Sequence, residues 1–414
     1  MTEAISLPPA AGRTVDQDLL MLLDHALPVV LIIKLSGAWY HPGLLPNDTV
    51  PGIALLNALF LAFCLYGTVR LLLTHAIETI FAEPAYLALL VLAAIGITLS
   101  VSSPNSLGMV RTAALFFGSC VFLRYRFSPY YLMRLFVAVM GAVMLLSLLT
   151  ALATPVGIMH GFDAGRWRGI FNHKNSLGEA AAITLIVGGG LFAANILRTY
   201  WLVSVVVVTF VCLIMSGSAT ALAAAAVGSL VFATALLIVR LQVIRQQGLW
   251  LLLALITLLA IGGYASTGLI AAALGRDLTF TSRTEIWQQF LYFADQRPWA
   301  GWGWATISTT DQMLPIIRQT LGLPYIQTPH SGYLSLLVEL GYPGLLAFAA
   351  WLSHIIFMTC RRAILGRSRA ALIRLAVACA LIVHSLFEST SGALPSLWLL
   401  LLFAVGPRIT IRWH

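Results

Sequence analysis

The feature that most constrains this chain is a series of apolar runs, each near 20 residues long, that recurs from one end of the sequence to the other. A run of that length lets an α-helix cross the hydrocarbon core of a bilayer. Hydrophobic residues make up 60% of the 414 residues and charged residues only 9%, which excludes a soluble globular domain. The runs are continuous rather than alternating, which excludes a transmembrane β-barrel. The sequence therefore predicts an all-α integral membrane protein.

We expect about twelve membrane spans. They lie near residues 22–39, 51–73, 85–102, 108–124, 131–154, 178–197, 199–216, 219–239, 249–266, 331–358, 370–388 and 393–408. Residues 1–18 are polar and lack the charged start, short apolar core and cleavage site of a signal peptide, so they are interpreted as a cytoplasmic N-terminal tail. Residues 19–414 would then form one polytopic membrane domain.

The distribution of positive charge predicts the orientation. With the N-terminus in the cytoplasm, most arginines fall in cytoplasmic loops, as the positive-inside rule requires. Two basic stretches remain on the opposite side. One is GRWRGIFNHKNSLGEAAA, residues 165–182, and the other is an extracytoplasmic loop over residues 266–330. A loop of that length in a compact protein is usually functional.

Three helix starts are predicted on the extracytoplasmic side by capping signals, at Ser176-x-x-Glu179, Ser282-x-x-Glu285 and Thr328-Pro329. The polar residues beside them are Arg168, His173, Lys174 and Asn175 for the first start, Arg276 and Arg283 for the second, and His330 for the third. Helix N-termini carry partial positive charge, so cations there are unfavourable unless an anion lies between them. Three such starts on one face predict a pocket for a diphosphate.

Each of these residues also has a structural explanation. Arg168 and Lys174 have the length to reach lipid headgroup phosphates. Arg283 has acidic neighbours for a surface ion pair, and a lone histidine such as His330 is more often structural than catalytic.

Further candidates lie in RPWAGWGW and near the end of the eleventh run. Trp299, Trp302 and Trp304 form either an interfacial aromatic belt or a stacking surface for sugar rings. Glu388 is an ionisable group near membrane depth, which makes it a functional candidate, although a helix cap is the alternative. We assign these four residues to sugar binding.

The sequence around His330 resembles a known family. HSGYLSLLVELGYPG fits the pattern His-[Asn/Ser/Gln]-x9-Gly-x-x-[Gly/Thr/Val] of the O-antigen ligase and polymerase superfamily, with His330, Ser331, Gly341 and Gly344 at the fixed positions. GIFNHKNSLG, GRDLTFTSRTEIW and RPWAGWGW are similar to its exopolysaccharide polymerase branch. In many members asparagine stands at the position of Ser331. The arginine of the ligase type is replaced by Ala219, which favours a polymerase.

The resemblance implies a fold of the membrane glycosyltransferase type in a bacterial inner membrane, with a periplasmic active site. It implies a substrate of oligosaccharide repeat units on a polyprenyl diphosphate, joined by inverting glycosyl transfer. His330 would be the general base and Arg283 the catalytic cation. Arg168, Lys174, Arg276, His173 and Asn175 would bind the diphosphate.

Neither an Asp-x-Asp motif nor an acidic cluster lies on the predicted outer face, so we expect neither a metal nor another cofactor, and we expect arginine to bind the diphosphate instead. Membrane lipids and a chain-length regulator are the other expected partners, and nucleic acid is not.

Two other functions stay open. A ligase would move finished glycan to lipid A core or to protein, and a deletion strain would then accumulate long lipid-linked chains rather than single units. A transporter would bind the same lipid-linked sugar, but transporters usually carry internal repeats, and none is visible here. A purely structural scaffold would not explain the cations on the outer face.

Overall fold

The computed structural model shows an all-α protein, which confirms the predicted fold class. The structure describes residues 15–38, 51–74, 83–241, 246–248, 250–254, 256, 277–309, 312–324, 326–389 and 397–406. Its main helices are α1 (Val15–Ser36), α2 (Pro51–Thr74), α3 (Pro84–Gly96), α4 (Ser103–Arg126), α5 (Pro129–Ala153), α6 (Lys174–Ala193), α7 (Tyr200–Ser216), α8 (Ala219–Arg240), α9 (Asp277–Gln296), α10 (Thr306–Thr309), α11 (Leu314–Leu321), α12 (Gly332–Ile364), α13 (Arg369–Phe387) and α14 (Leu397–Ala404).

Eight helices in the described part of the chain are long and apolar enough to cross a membrane, namely α1, α2, α4, α5, α6, α8, α12 and α13. The sequence predicted about twelve. Helices α3 and α7 are apolar but only 13 and 17 residues long, and an α-helix rises about 1.5 Å per residue against a hydrocarbon core of about 30 Å. The predicted spans 249–266 and 393–408 lie partly outside the described residues.

Helix α13 lies at the centre of the bundle and packs against α6, α8, α12 and α14. Small residues allow the closest of these contacts. A Cβ atom on Gly228 of α8 would lie 2.9 Å from the carbonyl oxygen of Ala376 in α13, and one on Gly190 of α6 would lie 2.8 Å from the side chain of Ile373. Close backbone approach through small residues is how membrane helices gain packing energy when lipid tails are as apolar as the side chains.

A buried carboxylate ties four helices together at one end of α13. Glu83, the residue before α3, accepts hydrogen bonds from Nη2 of Arg124 at 3.0 Å and from Nη2 of Arg374 at 3.2 Å. Arg124 also donates to the carbonyl oxygen of Phe403 in α14, with its Nε at 2.8 Å. All three charged side chains are buried. A buried charge is tolerated only when it is paired, so this cluster links α3, α4, α13 and α14.

A second carboxylate links α1, α2 and α4. Asp24 is buried and accepts hydrogen bonds from Tyr66 at 2.7 Å and from Nε of Arg126 at 2.8 Å. Arg70 completes the group, with its Nη2 at 3.3 Å from Asp24. The positive-inside rule predicts a cytoplasmic location for the arginines of both clusters.

Helix α12 is sharply bent rather than a straight span. Its 33 residues include Gly341 at φ 68° and ψ −172°, with Pro343 just after it. The rings of Tyr333 and Phe348 lie 6.2 Å apart, whereas a straight α-helix would hold the Cα atoms of these residues about 22 Å apart. The segment before Gly341, called here the short arm, therefore folds back along the segment after it.

The loop that follows α9 holds this bend in place. The amides of Trp302 and Gly303 donate to the carbonyl oxygens of Val338 and Glu339, each at 2.9 Å, and the amide of Tyr342 donates to the carbonyl oxygen of Pro298 at 2.8 Å. These bonds satisfy backbone groups that a break in the helix leaves without partners, as a chain at membrane depth requires.

Candidate functional site

Three of the predicted site residues contact the side chain of a fourth, Glu388. Oε1 of Glu388 accepts hydrogen bonds from Nδ2 of Asn175 at 2.8 Å and from Nη2 of Arg283 at 3.3 Å. Oε2 of Glu388 lies 3.5 Å from Nδ1 of His330. The four residues come from α6, α9, the segment before α12 and the end of α13. This group is called the Glu388 cluster below.

Asn175 lies in the first turn of α6. The residue before this helix is His173, which has an extended backbone and accepts a hydrogen bond from the Asn175 amide through Nδ1 at 3.2 Å. The predicted start at Ser176-x-x-Glu179 is therefore wrong, because the imidazole caps the helix before Ser176 is reached. The correction moves Lys174 and Asn175 from the preceding loop into the helix.

Arg283 lies inside α9 rather than at its start. The helix begins at Asp277, so the predicted capping box at Ser282-x-x-Glu285 is wrong, and Arg283 occupies the second turn. Trp287, one turn further along, donates its indole N–H to the carbonyl oxygen of Pro329 at 2.9 Å. This bond fixes α9 against the segment that carries His330. Arg276 lies outside the described residues.

His330 has an unusual backbone conformation, with φ 51°. Helix α12 starts two residues later and is capped by Ser331, whose hydroxyl accepts from the Leu334 amide at 3.4 Å. The predicted cap at Thr328-Pro329 is thus wrong, although the Thr328 hydroxyl does accept a hydrogen bond from the His330 amide at 3.4 Å. A left-handed conformation costs a residue with a Cβ atom about 1–2 kcal/mol. Such outliers concentrate at functional sites, and the His330 side chain remains 38% exposed.

The remaining cations of the predicted diphosphate pocket make other contacts. Nζ of Lys174 lies 2.8 Å from Oδ1 of Asp163, and Nε2 of His173 lies 3.7 Å from Oδ2 of the same residue. Arg168 donates from Nε to the carbonyl oxygen of Val156 at 2.8 Å. Burial lowers the pKa of His173, which keeps its imidazole neutral near pH 7 despite the Asp163 carboxylate. Asp163 was not predicted as a site residue, although it lies only two residues before the basic stretch at 165–182.

A further cation lies beside the turn between α7 and α8. The guanidinium of Arg166 packs over Gly217, so closely that a Cβ atom there would overlap it. Gly217 is two residues before Ala219, the first residue of α8. The main chain of the neighbouring Trp167 donates to the carbonyl oxygen of Met215 at 2.9 Å, which holds the basic loop onto this turn. Arg166 therefore brings a positive charge close to the position that the ligase pattern reserves for arginine.

The three tryptophans of RPWAGWGW have different environments. Trp304 is only 5% exposed and belongs to the core. Trp302 donates its indole N–H to the carbonyl oxygen of Phe293 at 2.8 Å, and the Arg297 guanidinium lies 4.8 Å above its ring. Burial of the Trp304 ring and the contacts of the Trp302 ring with Phe293 and Arg297 favour a packing role over the predicted sugar contact at these two positions. Trp299 is 74% exposed and packs edge-on against Tyr342, so its ring stays available.

A cavity of about 390 Å³ lies next to the Glu388 cluster, between α9, the short arm of α12 and the end of α13. Three of its lining residues, Thr284, Ser331 and Phe387, are the direct chain neighbours of Arg283, His330 and Glu388. Apolar side chains make up most of the remaining wall, including Trp287, Leu291, Leu334, Leu337, Leu345 and Leu386. The site thus combines a charged edge with an apolar chamber.

Glu388 is the acidic residue of the cluster, so its ionisation state sets the net charge of the cluster. Burial raises the pKa of its carboxyl group, but the hydrogen bond with His330 and the charge of Arg283 outweigh burial, so the net pKa is lowered. Glu388 is therefore ionised at neutral pH. Within the described residues, no group of three His, Cys, Asp or Glu side chains is arranged to hold a metal ion.

Comparison with known proteins gives a family match over part of the chain. The sequence profile of the family described as O-Antigen ligase matches residues 203–349, which include Arg283, His330 and the bend of α12. No curated protein matches the chain. Members of this family are membrane enzymes that transfer glycans. Residues 203–349, less than half of the 414 residues, are therefore similar to the O-antigen ligase family of membrane glycan-transferring enzymes.

Proposed function

We propose that this protein polymerises polyprenyl-diphosphate-linked oligosaccharide repeat units into exopolysaccharide or O-antigen. The reaction takes place on the periplasmic face of the bacterial inner membrane, by inverting transfer without a metal. The observation that carries the proposal is the convergence of His330 and Arg283 on the Glu388 carboxylate, while their chain neighbours Ser331 and Thr284 line an apolar cavity. A lipid diphosphate needs both a cationic edge and an apolar chamber.

The topology agrees with this location of the site. Arg374 and Glu388 lie on the same helix, α13 and its end, about 21 Å apart along the axis. The Arg374 end carries the Glu83 cluster, which the positive-inside rule assigns to the cytoplasm. The Glu388 cluster would then lie near the outer surface of the membrane, where a lipid diphosphate has its headgroup.

The chemical step joins two lipid-linked units. The acceptor hydroxyl oxygen forms a bond to the anomeric carbon of the growing glycan while the bond from that carbon to the diphosphate oxygen breaks. His330 takes the hydroxyl proton on Nε2, because Nδ1 faces Glu388. The electron pair leaves with the diphosphate, which is a good leaving group and needs no general acid. Attack from the face opposite the diphosphate inverts the anomeric centre.

The cations stabilise the charge that grows on the departing phosphate oxygen. One well-placed donor is worth about 2–4 kcal/mol in such a site. We assign this role to Arg283, and we assign diphosphate binding to Asn175, His173, Lys174, Arg168 and Arg276, to which the position of Arg166 adds a further candidate. Lys174 would have to exchange part of its contact with Asp163 for the phosphate. Trp299 keeps its predicted contact with sugar.

We assign the apolar cavity to binding of the lipid part of the carrier. The first isoprene units of a polyprenyl chain fit a chamber lined by leucine and tryptophan side chains, and the adjacent residues Arg283 and His330 then face the diphosphate. A chain-length regulator remains a further expected partner.

A ligase is the second candidate, because the matching family is described as O-Antigen ligase. We favour the polymerase since Ala219 stands where the ligase pattern has arginine. Glycan analysis of a deletion strain separates the two, because single lipid-linked units accumulate without a polymerase and long unattached chains accumulate without a ligase.

The direct test uses purified protein in lipid nanodiscs with lipid-linked repeat units. Wild-type protein should lengthen the glycan without any other protein, whereas a transporter would not. His330→Ala and Arg283→Ala should each abolish lengthening. His354→Ala is the matched control, because His354 is exposed on the part of α12 beyond the bend. Normal lengthening by both site variants would refute the proposed site.

A further inference from the structure

Most acceptor positions of Glu388 are already used by the protein itself. It is 8% exposed, and its two carboxylate oxygens face side chains from three different elements, Asn175, Arg283 and His330. A carboxylate that binds a sugar hydroxyl needs an open lone pair on the substrate side. These contacts favour a role within the site over the predicted sugar contact. Glu388 is also the residue that caps the end of α13, but it does so with its backbone amide, bonded to the carbonyl oxygen of His384 at 3.0 Å, which leaves the carboxylate for other contacts.

The segment that carries Glu388 is itself fastened to the start of α12. The hydroxyl of Ser389 accepts a hydrogen bond from the Ser331 amide at 3.1 Å and lies 3.3 Å from the hydroxyl of Ser335. Because Ser331 directly follows His330, this bond fixes the distance between the carboxylate and the imidazole. The carboxylate is thus held rigidly where it meets the two residues that the proposed mechanism requires.

We propose that Glu388 is a positioning residue for glycosyl transfer, which orients His330 as the base and Arg283 as the diphosphate cation. The proposal rests on the proposed function of this site. A carboxylate that accepts the Nδ1 proton fixes the neutral tautomer of imidazole and leaves the lone pair on Nε2, directed to the acceptor hydroxyl. The same carboxylate stabilises the imidazolium that forms when the proton arrives.

Glu388 also limits the freedom of Arg283. A guanidinium has five N–H donors in a planar fork, and the bond from Nη2 to Oε1 uses one of them. The remaining donors keep a fixed direction toward the diphosphate instead of sampling many rotamers. Asn175 donates a second hydrogen bond to Oε1, at 2.8 Å, which restrains the carboxylate independently of the arginine.

Other charged groups surround the cluster as well. They are His173, Lys174 and Asp163 on the α6 side and His384 on α13. Glu388 is the carboxylate within hydrogen-bond range of the His330 ring. Asp163 contacts His173 and Lys174 instead, so its removal should leave the orientation of the His330 ring unchanged.

The test compares Glu388→Gln and Glu388→Asp with Glu285→Gln, a control that makes the same substitution at an exposed position of α9. In nanodiscs, Glu388→Gln should lower kcat by about 100-fold, as loss of an oriented general base does, while the KM for the lipid-linked unit changes much less. Glu388→Asp should recover part of the rate. Glu285→Gln should match the wild type.

A second readout does not depend on turnover. The rate at which diethyl pyrocarbonate acylates His330 at one fixed pH, followed by mass spectrometry, reports how this imidazole is presented to solvent. The rate should change in Glu388→Gln and should match the wild type in Glu285→Gln. Absence of chain lengthening by the wild type would refute the proposed function. An unchanged acylation rate, or a Glu388→Gln enzyme with full kcat or with a defect in KM only, would overturn the positioning role.

Discussion

Replacement of Gly341 by alanine tests whether the bend in α12 holds the site together. Gly341 has φ 68° and ψ −172°, a combination that residues with a Cβ atom essentially avoid. A Cβ atom built there would lie 2.6 Å from the carbonyl oxygen of Pro298 and 2.8 Å from the carbonyl carbon of Trp299. Both neighbours are backbone atoms, so the overlap is relieved only if the chain moves.

The expected cost has two parts. A non-glycine residue in this conformation costs about 1–3 kcal/mol, and the steric overlap adds about 1–3 kcal/mol, as at other overpacked sites. The sum of about 2–6 kcal/mol is a large share of the free energy of unfolding of an ordinary domain. Opening the bend relieves the overlap, but it carries the short arm and His330 away from Glu388.

Thermal unfolding in nanodiscs, followed by tryptophan fluorescence, measures the first effect, and chain lengthening measures the second. Gly108→Ala is the matched control, because a Cβ atom on Gly108 in α4 meets open space and alanine is favoured over glycine in a helix by about 0.5–1 kcal/mol. We expect Gly341→Ala to unfold at a lower temperature and to lose activity, while Gly108→Ala retains both properties.

One result of this experiment would refute the reasoning about the bend. If Gly341→Ala unfolds with the wild-type midpoint and lengthens glycan at the wild-type rate, the bend tolerates a side chain and the argument from backbone geometry fails. If Gly341→Ala keeps the wild-type unfolding midpoint but loses activity, movement of the short arm alone relieves the steric overlap without lowering overall stability.

Two other predictions concern charged groups. Glu83→Gln should destabilise the protein by about 3–5 kcal/mol in the same unfolding assay, because two buried arginines lose the carboxylate they share, and wild-type stability in this variant would contradict the pairing. The folded-state pKa of Glu388 is lowered, so its stabilisation is complete above the unfolded value near 4.3 and is lost as the pH falls through the folded value. Unfolding midpoints measured from pH 6 to about 3 should therefore decline less steeply in Glu388→Gln, and parallel curves would contradict this contribution.

Much of the fold was predictable from the apolar runs. The predicted spans at 131–154 and 219–239 correspond to α5 (Pro129–Ala153) and α8 (Ala219–Arg240), because continuous hydrophobicity of sufficient length indicates a membrane helix. The predicted span at 331–358 corresponds to α12, but the bend at Gly341 was not predicted. Hydropathy measures how apolar a segment is, not its direction, and the only local signal of the reversal is Gly341 with Pro343 beside it.

The candidate site was predictable in its members but not in its arrangement. Asn175, Arg283 and His330 were selected as polar residues near helix starts, yet the structure places two of the three helix starts before the residues concerned and the third after His330. What joins these residues is the Glu388 carboxylate, which is distant from each of them in sequence. Contacts between distant segments depend on packing, so one sequence alone does not reveal them.

The short arm of α12 works as a spacer of fixed length. It is anchored at one end by the loop around Trp302 and at the other by Ser389. One residue more or fewer would turn the imidazole by about 100° and shift it by about 1.5 Å. The number of residues between His330 and Gly341 in the family pattern thus sets the direction of the imidazole. Insertions in this interval would therefore be far less tolerated than substitutions of its side chains.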